Sequence, residues 1–507
     1  MRKYFFLAIL LFIGKSITAQ QPVPKFITDS LDTYLERGLK QWDIPGAGIC
    51  IVKDGKVVLT KGFGVCELGK SEKVDENTLF MIGSNTKAFT GTALAILESD
   101  GKCTLEDKVQ KYLPDFSMKD PWVAGHLNLT DIVSHRIGMM TFQGDFMYWT
   151  SDLSAKEVIK KFGQLTPLYD FRTRYGYTNA GFAIAGECIE KISGKTWAEF
   201  LKERIFDPLK MKRTLPLASQ ISGEENAAKP HTFENGKLIK LKYPEIDNLA
   251  PAASISSSVS DMSHWLIAQL DSGYYNGNKA LPFSVIQKTR RPNSIVGRST
   301  NMFERNSFNV YGLGWFIESY KGKEIVSHTG GIDGFVTSVT LIPEEKLGIV
   351  VLTNTDANSF YQALKWEVID AYLGQPYRNY SQAMYILSEK SKAKENETLK
   401  ADRDTVNMHL KPPVDLTEFT GRYVHEVYGY LDIAQKGNEL EISFEHHPDL
   451  KGKLEYMNGG RFLCTYSIPT FGIKVIPFSI EGNKVKSMKL SVADFVEYTT
   501  YDFIKKQ

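Results

Sequence analysis

The pattern of apolar and polar positions predicts strands near both ends of the first 375 residues and helices between them. Residues 46–64 form two β-rich runs around Asp54-Gly55, a dipeptide that favours a tight hairpin turn. Residues 84–98 carry apolar side chains at helical spacing, and helical and loop segments continue to about residue 300. Three β-rich runs follow between residues 312 and 354, and residues 359–374 read as a closing helix. We therefore expect one mixed α/β unit whose sheet joins strands from both ends.

The remainder of the chain has a different pattern. Residues 388–404 are nearly all polar or charged, which is typical of a solvated helix or a linker, and Pro412-Pro413 mark a boundary. Alternating β-rich runs follow, with Gly-Asn turns at 437–438 and 482–483. We expect a main domain over residues 20–375, a charged linker over 376–413 and a small antiparallel β domain, a barrel or a sandwich, over 414–507. A linker of this composition predicts few contacts between the two domains.

The first 19 residues have the order of a secretory signal peptide. Arg2 and Lys3 precede an apolar run from Tyr4 to Ile13, and small residues ending at Ala19 offer a cleavage site. The run is shorter than the ~18 apolar residues of a spanning helix, and no later stretch reaches that length. The sequence predicts an exported protein, periplasmic or secreted, with no membrane span after cleavage; an uncleaved anchor is the alternative.

Composition narrows the function further. The 507 residues are 42% hydrophobic and carry a formal net charge of +2, which gives no electrostatic reason to expect a nucleic-acid partner. The five cysteines lack metal-ligand spacing, and we expect them to be free and buried. His446-His447 reads as a surface pair without further ligands, and His135 as a loop-fixing hydrogen bonder. We expect neither a metal nor an organic cofactor.

The spacing Ser-x-x-Lys occurs three times, at Ser84/Lys87, Ser99/Lys102 and Ser391/Lys394. Only Ser84 stands where an apolar helix pattern begins, so that one helical turn brings Lys87 beside its hydroxyl. A helix start also directs free backbone N–H groups at any oxyanion formed there. A serine hydroxyl needs such a neighbouring base to become a nucleophile. The alternative is a plain N-cap serine.

Two further short motifs follow in order. Tyr177-Thr178-Asn179 lies 93 residues after Ser84, and His328-Thr329-Gly330 lies on a presumed strand that ends in two glycines. Such a strand end permits close approach of a substrate backbone. With Ser-x-x-Lys, these motifs resemble the serine β-lactamase and penicillin-binding superfamily, in particular the branch of class C β-lactamases, D-alanyl-D-alanine carboxypeptidases, D-aminopeptidases and esterases. The resemblance covers about residues 25–375 and includes the stretches at 129–139, 311–315 and 347–354.

The resemblance implies a β-lactamase-like fold, a mixed α+β architecture with a central antiparallel sheet, followed by an appended small β domain. It also implies roles for individual residues. Ser84 would be acylated, Lys87 would keep the hydroxyl easily deprotonated, and Tyr177 would relay the proton as a phenolate of lowered pKa. The remaining implied roles are substrate binding by Asn179, His328 and Thr329, and an oxyanion hole from the backbone N–H groups of Ser84 and Gly331.

Two departures from the family pattern bear on the substrate. His328 stands where relatives have a lysine, and beside Lys87 a histidine is expected to be largely neutral, which puts recognition of a carboxylate in doubt. Ala253 and Ser254 stand where two glycines are expected and would add bulk to the site. The sequence thus predicts an exported serine hydrolase that acts on a peptide with D-amino acids or on a small ester. A β-lactamase is the alternative, and a penicillin-recognising module without turnover is the alternative of another class.

Overall fold

The computed structural model describes residues 22–298, 302 and 308–506. The predicted signal peptide, residues 1–19, lies outside this part of the chain. Within the described residues, no helix has both the length and the apolarity that crossing a membrane requires.

An eight-stranded antiparallel sheet forms the centre of the first domain. Its spatial order is β2-β1-β14-β13-β12-β11-β10-β9, so the hairpin from the start of the chain pairs with the last strand of the domain. The expectation that both ends of the domain build one sheet is confirmed. The strands are β1 Gly46–Lys53, β2 Lys56–Gly64, the short pairs β3 Phe80–Met81 with β6 Ser256–Ser257, β4 His231–Glu234 with β5 Lys237–Lys240 and β7 Tyr274–Tyr275 with β8 Asn278–Lys279, then β9 Ser294–Arg298, β10 Phe308–Tyr311, β11 Phe316–Tyr320, β12 Lys323–Ile332, β13 Phe335–Ile342 and β14 Leu347–Thr353.

Helices cover both faces of this sheet. Burial explains their placement: α2 is buried on nearly all sides and packs against α8, α10 and α12. Helix α11 packs on β1 and β14, and α1 and α13 cover the other face of the sheet. The described helices are α1 Leu31–Gln41, α2 Thr86–Ser99, α3 Val109–Tyr112, α4 Pro121–His126, α5 Leu129–Val133, α6 Asp145–Tyr148, α7 Ala155–Gln164, α8 Asn179–Ser193, α9 Trp197–Leu201, α10 Ala250–Ala253, α11 Val259–Leu270, α12 Phe283–Thr289, α13 Phe360–Tyr372 and α14 Tyr380–Asn407.

The turns explain where the strand prediction holds and where it is wrong. Asp54 and Gly55 both have positive φ, 51° and 73°, and close the predicted β1–β2 hairpin. The segment 312–354 holds four strands rather than the three predicted, because Lys321 and Gly322, with φ of 51° and 74°, form a second tight turn.

The C-terminal domain is a closed barrel of eight antiparallel strands in chain order, which confirms the barrel alternative. The two Gly-Asn dipeptides lie at the turns that were predicted for them. The strands are β15 Gly421–His425, β16 Gly429–Lys436, β17 Glu439–Phe444, β18 Lys451–Asn458, β19 Arg461–Tyr466, β20 Ile473–Glu481, β21 Lys484–Leu490 and β22 Tyr501–Lys505.

The barrel packs directly on the first domain, so the expectation of few contacts is wrong. One continuous apolar cluster runs through both domains. Phe146 of α6 stacks on Tyr428 and on His447, with ring centroids 5.3 and 5.0 Å away. His447 is only 2% exposed and hydrogen-bonds with Tyr428, so the surface reading of this histidine is also wrong. The charged segment between the domains is mostly helix α14, which is exposed to solvent. Its charged composition reflects this exposure and does not indicate that the two domains lack contacts with each other.

Candidate active site

Ser84 lies in a single 3₁₀ turn, Gly83–Asn85, immediately before α2. Asn85 occupies the N-cap position of α2, so the plain N-cap reading of Ser84 is wrong. The turn presses against the end of β12, because a Cβ placed on Gly83 would lie 3.1 Å from the Gly331 nitrogen, and one on Gly330 would lie 1.9 Å from the Ile82 carbonyl oxygen. Glycine at these positions lets the serine turn and the strand end meet backbone to backbone.

Lys87 lies one helical turn after Ser84 and is fully buried. Its Nζ is 3.1 Å from Ser84 Oγ, 2.6 Å from Asn179 Oδ1 and 3.0 Å from the carbonyl oxygen of Ala252. Burial lowers the pKa of this lysine to about 7, opposed by the Asp145 carboxylate. Near neutral pH a large fraction of Lys87 therefore carries a free lone pair within reach of the serine proton.

Asn179, the first residue of α8, joins Lys87 to a buried carboxyl group that the sequence motifs do not contain. Its Nδ2 donates to Asp145 Oδ2 over 2.6 Å, while its Oδ1 accepts from Lys87. The side-chain amide of Asn179 is therefore taken up by Lys87 and Asp145, whereas the resemblance implied a hydrogen bond to the substrate. Burial, and then the nearby Glu497 carboxylate of the barrel, raise the pKa of Asp145 well above its usual range. No short motif in the sequence points to Asp145 or Glu497.

Tyr177 completes the group around Ser84. Its ring lies 4.6 Å from Lys87 Nζ, and its hydroxyl group is near enough to Ser84 for that neighbour to favour a lower pKa. Burial raises the pKa of Tyr177 above its usual value and outweighs the effect of Ser84, so the expected lowered pKa is wrong. The phenol is neutral at ordinary pH. His135 stacks on the Tyr177 ring and accepts a hydrogen bond from the Thr178 backbone N–H, which confirms its loop-fixing role.

His328 lies beside this group but has no hydrogen-bonding atom left for a substrate. Its Nδ1 donates to the Thr329 carbonyl oxygen over 2.6 Å, and its Nε2 accepts from the Tyr311 hydroxyl over 2.9 Å. The side chain is 1% exposed. Burial, followed by the positive charge of Lys87, lowers the pKa of His328 to about 3. The expectation of a neutral imidazole agrees with this direction, whereas direct substrate contact does not agree with the geometry.

Two other residues that the sequence predicted for the site, Thr329 and Ser254, have side chains with different surroundings. Thr329 lines a separate cavity with Phe316 and Trp366, between the sheet and α13, because neighbouring strand residues face opposite sides. Ser254 is fully buried and hydrogen-bonds to the carbonyl oxygen of Ala250, so its side chain does not narrow the site as expected. The adjacent Ala253 is buried as well.

The described residues contain no group of three or more His, Cys, Asp or Glu side chains arranged to hold a metal ion. All five cysteines are free and buried, as the sequence predicted. The groups around Ser84 are the buried Lys87 amine, the Tyr177 phenol and backbone N–H groups.

A central antiparallel sheet with Ser84 and Lys87 at the start of a buried helix is the architecture of the β-lactamase-like serine hydrolase class. The chain belongs to the Beta-lactamase family, whose model matches residues 31–373 and whose members are generally serine hydrolases. The chain is 30% identical to "Unguisins hydrolase ungD'" of Aspergillus campestris over 83% of this chain and 79% of that protein. It is 28% identical to Protein flp of Staphylococcus aureus strain MW2 over 64% of this chain and 63% of that protein.

Solved structures show the same fold. The octameric penicillin-binding protein homologue from Pyrococcus abyssi superposes with a TM-score of 0.59 and 20% identity, over 94% of this chain and 99% of that one. A D-stereospecific amidohydrolase from a Streptomyces species superposes with a TM-score of 0.55 and 21% identity, over 68% of this chain and 98% of that one. The first of these extends over the barrel as well as the catalytic domain.

Proposed function

We propose that this protein is an exported serine hydrolase that cleaves a neutral amide or ester through an acyl-enzyme on Ser84. Peptides with D-amino acids and small esters are the substrate classes we favour. The observation that carries the proposal is the contact of 3.1 Å between Ser84 Oγ and the fully buried Lys87, whose pKa is lowered to about 7. General bases work best when their pKa lies near the working pH.

Acylation follows from this geometry. Neutral Lys87 accepts the Ser84 proton as Oγ attacks the carbonyl carbon, and the carbonyl oxygen becomes an oxyanion. In this proposal the backbone N–H groups of Ser84 and Gly331 donate to the oxyanion, and the close approach of Gly83 to the Gly331 nitrogen supports it. One such donor contributes about 3 kcal/mol of transition-state stabilisation in known hydrolases. Collapse of the intermediate expels the amine or alcohol, which takes a proton from the Lys87–Tyr177 pair.

Deacylation uses the same groups in reverse order. Water attacks the acyl carbonyl, its proton passes to Lys87, and Ser84 leaves with a proton as the acid product departs. Tyr177 acts in both halves as a neutral phenol, because its raised pKa excludes a standing phenolate. Asn179 and Asp145 hold Lys87 in place without touching the substrate.

The substrate preference rests on His328. Its neutral, fully engaged ring offers no positive charge to a carboxylate. Arg172, a cation near the Tyr177 motif, is held by Asp131 at 2.7 Å. Neutral substrates therefore suit this site better than D-alanyl carboxylates or β-lactams, and β-lactamase activity is the second candidate.

Covalent labelling combined with a substrate panel tests the proposal. Purified mature protein is treated with a fluorescent fluorophosphonate, and the label is located by mass spectrometry. Nitrocefin, p-nitrophenyl acetate and N-acetyl-D-alanine p-nitroanilide are then compared for turnover. We expect a label on Ser84 and turnover of the neutral ester or amide ahead of nitrocefin. An unlabelled Ser84, or labelling of another serine, would overturn the mechanism; preferential nitrocefin turnover would favour the second candidate.

A further inference from the structure

We propose that residues 495–498 of the barrel form one wall of the substrate cleft and select substrates with a bulky apolar or aromatic group next to the scissile carbonyl. This inference rests on the proposed function of Ser84. It assigns to the barrel a role in substrate recognition.

Phe495 marks the end of this wall nearest the proposed oxyanion hole. A Cβ placed on Gly331 would lie 3.4 Å from the Phe495 ring, so the ring lies over the strand end that meets the Ser84 turn. Trp149 of the first domain packs edge-on against it, with centroids 6.3 Å apart. Phe495 is nevertheless 41% exposed, which leaves a large part of its ring open to a ligand.

Tyr498 marks the other end. Its ring lies 5.6 Å from that of Phe142, which in turn lies 5.6 Å from the ring of Tyr177. Tyr498 is 49% exposed, although it stands one aromatic ring away from a buried catalytic candidate. The two exposed aromatic residues thus flank the site from the Gly331 side and from the Tyr177 side.

The two residues between them hold the wall in position. Val496 and Glu497 are each 1% exposed. Glu497 accepts hydrogen bonds from the backbone N–H groups of Gly144 (2.8 Å) and Phe146 (2.9 Å), on either side of Asp145. The buried pair therefore anchors the segment to the first domain, and the exposed pair is presented to the cleft. Two exposed residues held by two buried ones between them form a fixed surface rather than a loose loop.

The chemistry of the wall indicates its ligand. Aromatic rings fixed by buried neighbours bind apolar groups with little loss of conformational freedom. The neighbouring His328 adds no charge. A substrate with an aromatic or branched apolar acyl group would cover these rings and exclude water from the carbonyl bound at Ser84, whereas an acetyl group offers them little apolar surface.

Two esters with one leaving group test the inference. The probes are p-nitrophenyl acetate and p-nitrophenyl phenylacetate, and the variants are Phe495→Ala and Tyr498→Ala in the full chain. Phe283→Ala and Tyr274→Ala are matched controls, since these exposed rings, 45% and 43% accessible, stand in α12 and β7. We expect kcat/KM for the phenylacetate to fall about tenfold or more in each cleft variant and that for the acetate to stay within about twofold, as for loss of an apolar contact. Both controls should behave as the unmodified protein.

The outcomes separate this inference from the proposed function. If the unmodified protein is not labelled at Ser84 and hydrolyses neither ester, the proposed function fails. If Ser84 is labelled and both esters fall in parallel, or the ester ratio does not change, the wall is not a specificity element. Phe495→Leu keeps an apolar side chain and should retain more phenylacetate activity than Phe495→Ala; loss of fluorophosphonate labelling in these variants would point to a structural role and overturn the inference.

Discussion

Helix α2 has the same Ser-x-x-Lys spacing at both of its ends, yet only at its start is the lysine buried and in contact with the serine. Ser84 precedes the first turn, and Lys87 is buried against Asn179 and Ala252. Ser99 is the last residue of the helix, and both it and Lys102 are exposed. The helix start offers free N–H groups and a partial positive charge, whereas its end offers carbonyl groups. The comparison shows that position and burial, rather than spacing, distinguish Lys87 from Lys102.

The largest expected effect separates the two serines. Ser84→Ala should abolish fluorophosphonate labelling and reduce ester turnover by about 10³-fold or more, as for the loss of a nucleophile. Ser99→Ala should leave labelling and turnover within about twofold, since its side chain lies in solvent. Gel fluorescence and initial rates measure both. Residual turnover in Ser84→Ala at the unmodified rate would contradict the comparison.

The two lysines should differ in pH dependence. Because burial lowers the pKa of Lys87 to about 7, kcat/KM should rise as pH increases from about 6 to 8 and the amine loses its proton, then level off. Lys87→Gln should lower kcat/KM by about 10²-fold or more and remove this rise, whereas Lys102→Gln should change neither. A rate that is flat across this range in the unmodified protein would show that Lys87 is not the titrating base.

The contact between Glu497 of the barrel and the backbone beside Asp145 should have a smaller effect on activity. Glu497→Ala removes the acceptor of two buried N–H groups beside Asp145, and we expect a loss of about 2 kcal/mol in the free energy of unfolding. A fall of about tenfold in kcat should accompany it, because Asp145 supports Asn179 and Lys87. Glu481→Ala, on the exposed end of β20, is the control for both urea unfolding and rate. Unchanged stability in Glu497→Ala would mean that the contact with the barrel is not structural.

The smallest expected effect concerns substrate charge. The ratio of kcat/KM for p-nitrophenyl esters of succinic acid, with a free carboxylate or a methyl ester at the far end, should favour the methyl ester. With the pKa of His328 at about 3, this ratio should stay within about twofold from pH 5.5 to 9. A ratio that shifts toward the acid as pH falls to 6 would show that His328 gains a proton and senses the carboxylate.

Particular residues show what the sequence by itself determined. The Asp54-Gly55 turn, the helix beginning near Ser84, the joining of both ends of the first domain in one sheet and the small antiparallel β domain all follow from local patterns and were predicted from them. The motifs also selected Ser84, Lys87 and Tyr177, which the structure brings together. These features depend on turn chemistry, hydrophobic periodicity and short spacings, which are written in neighbouring positions of the chain.

The tertiary structure alone decided the hydrogen-bond partners, the burial and the pKa values of these side chains. It placed Asp145 and Glu497 beside the Lys87 network, turned both ring nitrogens of His328 to internal partners and set the barrel against the first domain. It also reversed the expected direction for the pKa of Tyr177. Burial and electrostatic environment are sums over residues that lie hundreds of positions apart, and such sums exist only once the chain has folded.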